Sequence, residues 1–163
     1  MIEKIASDIS ERFGANAVLS IDNSGLQPSL QLDPSSLVDI CTWLRDHPEY
    51  YFDFLANITA VDYHPEERFA VVYHLTSIPH QLQLTLRVEL EHSRDTTTLP
   101  ELPSVAQVWR TADWHEREAF DLMGIFFTGH PDLRRILMPE DWEGYPLRKD
   151  YEDPETYHGI SVK

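Results

Sequence analysis

Residues 52–90 read FDFLANITAVDYHPEERFAVVYHLTSIPHQLQLTLRVEL, and their alternation decides the fold class. Phe52, Phe54, Ala56, Ile58 and Ala60 alternate with Asp53, Leu55, Asn57 and Thr59. After the turn-forming residues 64–67, Phe69, Val71, Tyr73 and Leu75 alternate with Ala70, Val72, His74 and Thr76. Leu82, Leu84, Leu86, Val88 and Leu90 then alternate with Gln83, Thr85, Arg87 and Glu89. A period of two, interrupted by short turns, specifies three antiparallel strands with one face on a core.

Upstream, Ile2, Ile5, Ile9 and Phe13 recur at helical spacing before Gly14, which predicts a helix over 2–13. Two short strands, 17–21 and 29–32, flank the turn formers Asp22, Asn23, Ser24 and Gly25. Asp33 and Pro34 start a second helix that carries Leu37, Ile40, Cys41 and Leu44 on one stripe and runs to about Asp46. Cys41 on that stripe reads as a small buried hydrophobe. The order α-β-β-α-β-β-β is that of an α+β, two-layer α/β sandwich.

Beyond a polar, proline-punctuated connector at 93–104, helical spacing resumes over 105–123, with a break expected near Thr111 and a stop at Gly124. Gly129, Pro131, Pro139, Gly144, Pro146 and Pro154 then forbid long elements. The expected division is a domain over 1–123 and an extended C-terminal docking arm over 124–163.

The totals exclude several classes. A net charge of -15 over 163 residues repels a phosphate backbone, so nucleic acid is not an expected partner. No apolar run approaches the about 18 residues of a membrane helix, so membrane association is expected only through another protein. A single cysteine excludes an intrachain disulfide and a thiolate cluster. The amino-terminal residues have no apolar signal-peptide core, and the expected compartment is cytosolic.

Residues 114–151, WHEREAFDLMGIFFTGHPDLRRILMPEDWEGYPLRKDY, hold five of the 13 Lys and Arg and eight acids. On a helical wheel Ala112, Ala119, Phe120, Leu122 and Met123 share a side, and Glu116 projects into its middle. Trp114, Arg117, Glu118 and Asp121 fall opposite. Two residues are therefore inverted: a carboxylate faces the apolar side and a tryptophan the charged one. A buried Glu116 needs a cation or a proton, and Arg134, Arg135 and Arg148 are the candidate partners. Trp114 reads either as an interface anchor or as a residue packed beneath the chain's own arm. His115-Glu116 begins like a zinc-protease helix, but alanine stands where the second histidine is needed, and no nucleotide or nucleophile-elbow motif is present. No catalytic, cofactor or metal residue is assigned.

The run Glu116-Arg117-Glu118, Asp121-Leu122-Met123, His130 and Arg134-Arg135-Ile136-Leu137, continued by Asp141-Trp142-Glu143-Gly144 and residues 146–151, resembles the 30 kDa (C) subunit family of proton-pumping NADH:quinone oxidoreductase, respiratory complex I. The resemblance implies a non-catalytic subunit of the peripheral arm, on the cytoplasmic side of a bacterial membrane, with FMN, iron–sulfur clusters and quinone held by other subunits. It implies packing against the 49 kDa (D) subunit. The residues carried over as interface and structural are Trp114, Glu116, Arg117, Glu118, Asp121, His130, Arg134, Arg135, Asp141, Trp142, Arg148 and Asp150. Two alternatives stand beside it: the equivalent subunit of a membrane-bound hydrogenase or ferredoxin-fed complex, and a free-standing hydrolase using Glu116 or Glu118.

Overall fold

A computed structural model of the chain describes residues 1–162. Helix α1 (Ile2–Phe13) buries Ile2, Ile5, Ala6 and Ile9 and ends where Gly14, at φ 102°, donates its amide to Ser10 O. Strands β1 (Val18–Asp22) and β2 (Ser29–Leu32) form the expected hairpin. Asp33 accepts the Ser35 amide at 2.8 Å and starts a 3-10 turn at Pro34–Ser36, which leads into α2 (Leu37–Asp46). Strands β3 (Phe54–Asp62), β4 (Arg68–Ser77) and β5 (Leu82–Glu91) are the predicted antiparallel run.

The five strands lie in the order β1-β2-β5-β4-β3, with β2 parallel to β5. On one face the cross-strand partners are Phe69 with Leu90, Val71 with Val88, Tyr73 with Leu86 and Leu75 with Leu84, all buried. Together with the apolar stripes of α1 and α2 they make one core cluster. The opposite face pairs Val72 with Arg87 and Thr76 with Gln83 and carries the Arg68–Glu89 ion pair at 2.9 Å. One dry and one wetter face account for the alternation in β4 and β5, interrupted only where Ala70 and Thr85 are buried on the wetter side.

β3 departs from the expected phase. Its register shifts between Leu55 and Asn57, so Leu55 faces the core opposite Leu75, while Phe54 is turned outward and left 42% exposed. A bulge inserts one residue and exchanges the faces of whatever precedes it.

The chain then makes β6 (Glu101–Pro103), α3 (Ala112–Met123) and β7 (Phe126–Thr128), with β6 and β7 pairing in parallel. α3 packs against β3. The helix expected over 105–123 is therefore confined to its second half. At 105–109 the chain makes a single turn closed by Val108 N and Trp109 N on Val105 O. Trp109 leaves it to donate its indole N–H to Phe52 O at 2.9 Å, and Thr111 donates its hydroxyl to Leu55 O at 3.2 Å. Those tertiary bonds outcompete continuation of a helix. After β7 an irregular segment crosses α3 and ends in the small hairpin β8 (Thr156–Tyr157) and β9 (Ile160–Ser161).

α3 ends at Gly124, whose φ of 66° is left-handed and whose amide bonds to Phe120 O. A Cβ there would lie 2.6 Å from a Tyr145 ring carbon and 2.8 Å from an Arg148 guanidinium nitrogen. Gly124→Ala therefore combines left-handed strain with overpacking and is expected to cost about 2–4 kcal/mol. Urea denaturation at neutral pH measures it; a midpoint unchanged from the parent would refute the account.

Candidate functional site: a latched helix and its exposed row

Helix α3 is fixed on two sides by ionisable groups that the folded chain buries. Glu116 is fully buried and faces the core as the helical wheel requires. Its partners are not the arm arginines. Ser104 Oγ donates to Oε2 at 2.5 Å and the Val105 amide to Oε1 at 2.7 Å, while His130 Nε2 stands 3.9 Å away. The expected arginine clamp on Glu116 is thus replaced by a hydroxyl and an amide, because residues 104–105 lie against this side of the helix while Arg135 and Arg148 are engaged at Asp121 and at the helix end.

Burial pushes the Glu116 carboxyl up to about 7; the Ser104 and Val105 hydrogen bonds oppose the rise and Asp113 adds to it. Cys41 and Tyr73 feel the same charge, and both are raised, chiefly by their own burial. His130 accepts the Asp132 amide on Nδ1 at 3.0 Å and bonds Asp113 O through Nε2 at 3.0 Å, a pattern that assigns its proton to Nε2. It joins the arm to the first turn of α3.

Asp121 and Arg117, expected on the charged outer side, are buried as well, because the segment after Gly124 covers that side. Asp121 Oδ2 accepts the amides of Ile136, Leu137 and Met138 at 3.0, 2.6 and 3.0 Å, and Oδ1 accepts from Arg135 at 3.0 Å. Burial would raise this carboxyl, yet the three amides and the guanidinium outweigh it and hold it below the usual range. Arg135 continues to Trp142 O and Gly144 O at 3.1 and 2.9 Å. Arg117 donates to Arg134 O at 3.3 Å and sits 4.6 Å from the Trp114 ring centroid.

Arg148 closes the far end of α3. It donates to Met123 O at 2.8 Å and Gly124 O at 3.2 Å, in the place where a cation favours a helix C-terminus. Its guanidinium lies 4.9 Å from the ring centres of both Phe69 and Tyr145. Beside it, Asp62 accepts from Arg94 at 2.8 and 2.7 Å and from the amides of His64 and Lys149, and Arg94 also binds Asp150 at 2.9 Å. Burial alone would raise Asp62, but these donors hold it at about 2.

Asp62 and Arg94 are latch residues that sequence reasoning misses. Asp62 carries a signal, since it continues the Ile58 and Ala60 face of an apolar strand. Arg94 stands in a polar connector and carries none. Asp141 receives the Tyr157 hydroxyl and the His158 ring at 2.8 Å each, and Trp142 donates to the Tyr151 hydroxyl at 3.1 Å and sets its ring centre 5.1 Å from that of Tyr157, so both pin the carboxyl-terminal hairpin. Among the described residues no group of three or more His, Cys, Asp or Glu is arranged to hold a metal ion.

What the latches leave outside is a row along α3. Trp114 is 63% exposed, so it is not packed under the arm. Glu118, exposed, and Leu122, half-buried, follow it at one-turn intervals, so Leu122 lies at the border of the row and not within the apolar side where the wheel sets it. The irregular segment adds the exposed side chains of Leu137 (64%) and Leu147 (59%). Arg134 is exposed and pairs with Asp132 at 3.0 Å. Twelve residues expected to act together therefore divide. Trp114, Glu118 and Arg134 face outward, and Glu116, Arg117, Asp121, His130, Arg135 and Arg148 hold α3 in place; Asp150 joins Arg94, and Asp141 with Trp142 secures the tail.

This architecture has a counterpart in a respiratory assembly. A chain in the structure of the membrane-bound sulfane sulfur reductase, an archaeal respiratory membrane complex, matches with a TM-score of 0.72 over 92% of this chain and 85% of that chain; at 22% identity the likeness is one of fold. The C subunit of NADH-quinone oxidoreductase from Chlorobium phaeobacteroides is 48% identical over 94% of this chain and 90% of its own length. Its counterpart from Chloroherpeton thalassium is 45% identical over 94% of this chain and 62% of its own length. A profile of the respiratory-chain NADH dehydrogenase, 30 Kd subunit, matches residues 30–157. The chain belongs to that family. No helix among the described residues is long and apolar enough to cross a membrane.

The latches make two measurable differences. Glu116 titrates at about 7 in the folded chain and at about 4.3 in the unfolded one, so between these values the folded state keeps a proton that the unfolded chain has released. Stability then falls as pH rises through that window and levels above it. Glu116→Gln removes the slope and should gain about 2–3 kcal/mol on its parent between pH 5 and pH 8 in urea titrations; parallel profiles would refute the assignment. Asp121→Asn, which faces an amide nitrogen toward donors, should cost about 3–5 kcal/mol. It should also accelerate hydrogen exchange at residues 136–138, and unchanged exchange there would remove Asp121 from its role.

Proposed function

We propose that this subunit of a respiratory NADH-quinone oxidoreductase works as a non-catalytic brace. It holds no redox centre of its own and seats the 49 kDa (D) subunit, which we place with it in the peripheral arm on the cytoplasmic side of the membrane. Electron transfer from NADH to quinone runs through FMN and iron–sulfur clusters in other subunits, and this chain supplies rigidity and docking.

One observation carries the reading. The charged residues of the family-like motif are mostly satisfied inside the chain, while Trp114, the residue type most favoured at protein contacts, is left exposed over Arg117. A residue so exposed on so firmly fixed a helix offers a partner a rigid anchor. The hydrolase alternative finds no support, since Glu116 is fully buried and the groove beside the exposed Glu118 is lined by no second titratable group.

Co-purification of the chain with the membrane assembly tests it. Trp114→Ala should leave the melting transition in place and weaken retention by about 2 kcal/mol, or ~30-fold in affinity. Arg134→Glu should weaken retention more at low salt than at high salt. Retention of both variants at the parental level would sink the docking role of this row.

A further inference from the structure

A groove runs beside the sheet's end. β3 closes the strand order, with no strand beyond it among the described residues. Residues 57–60 of β3 form one wall, and Ala119, Leu122 and Leu147 form the other, with Glu118 at the lip. Successive strand side chains point to opposite faces, so a groove lined by four consecutive strand residues follows the strand's edge and not one of its faces. It therefore presents backbone hydrogen-bonding groups as well as apolar side chains.

This edge is not guarded in the usual ways. Folded proteins blunt a free edge with charge, proline or a bulge, or cover it with a helix or loop. Here Thr111 caps Leu55 O, and the open groove begins beyond it at residue 57. From Phe54 to Val61 β3 has neither a charged residue nor a proline, and its bulge, at Leu55–Asn57, lies at one end of the groove. The opposite edge differs: β1 is five residues long, is irregular between Val18 and Ser20, and ends on Asp22. Within a chain of net charge -15, a long uncharged edge beside an apolar helix row is suited to cover by another chain.

We propose that the β3–α3 groove receives an extended segment of a partner subunit as an added strand, apolar at alternate positions and basic where it passes Glu118. This rests on the docking role above and specifies how part of it is built. The added strand satisfies the edge of β3 through its backbone, and its apolar side chains meet Ile58, Leu122 and Leu147. Charge selects the occupant: the groove lining carries Glu118 and no Lys or Arg, and a second copy of this acidic chain would be repelled.

Hydrogen exchange on the isolated full chain and on the purified membrane assembly tests this, with a photocrosslinking residue at the exposed Thr59. The alternate amides within 57–61 that point away from β4 should slow about tenfold or more on assembly while those of β1 stay unchanged, and the crosslink should join another subunit. Glu118→Lys should reduce that crosslink several-fold without shifting the melting temperature of the isolated chain. An unprotected β3 edge in an assembly that contains the chain, or a crosslink to a second copy, overturns this proposal and leaves the docking role standing. A chain absent from the assembly overturns both.

Discussion

An irregular segment packed against a domain must place its backbone N–H and C=O groups somewhere, because it has no helix or sheet of its own to hold them. Asp121 meets much of that requirement. One carboxylate accepts three consecutive amides, and its guanidinium partner, Arg135, donates onward to two carbonyls farther along the same segment. Arg148 repeats the device from the other direction by filling the carbonyl end of α3. A buried ion is unfavourable unless every lone pair and proton finds a partner. Residues 136–148 supply those partners only when folded over α3, so the ions and the segment order each other.

The three buried carboxylates show how donor number decides charge. Asp62 and Asp121 each collect several hydrogen bonds, including one or more from a guanidinium, and stay ionised at ordinary pH. Glu116 collects two, from a hydroxyl and an amide, and desolvation wins. The same balance shapes the surface. Arg94, Arg135 and Arg148 are committed to interior partners, so they contribute little positive potential outside, and the excess of acid over base is felt mainly at the surface.

Much of this is legible in the sequence for local reasons. Alternation defines β4 and β5, since one face is buried nearly throughout while the other is wet over most of its length, Ala70 and Thr85 excepted. Glu116 and Trp114 stand out because each breaks the pattern around it. Legibility fades where a distant contact overrides a local preference. The bulge that turns Phe54 outward leaves no mark in a run as apolar as 54–61. The turn at 105–109 looks helical until Trp109 reaches Phe52 O, 57 positions away. Matching the arginines to Glu116 fails for the same reason: sequence shows that this carboxyl needs a donor, but only the path of residues 104–105 decides which donor arrives.

Helix α3 is the element through which these observations join. One side carries Glu116 into the core, another carries Arg117 and Asp121 under the irregular segment, and its end is closed by Arg148. The remaining side presents Trp114 and Glu118, bordered by the half-buried Leu122, to whatever lies outside. Force applied to that row meets a helix that cannot roll without stripping the amides of residues 136–138 and Arg135 from Asp121 or unseating Glu116 from Ser104. It also cannot slide without breaking the Arg148 contacts to Met123 and Gly124. A subunit can fix the geometry of its neighbours through contact alone, provided the surface it offers is stiff, and burying charges behind that surface makes it so.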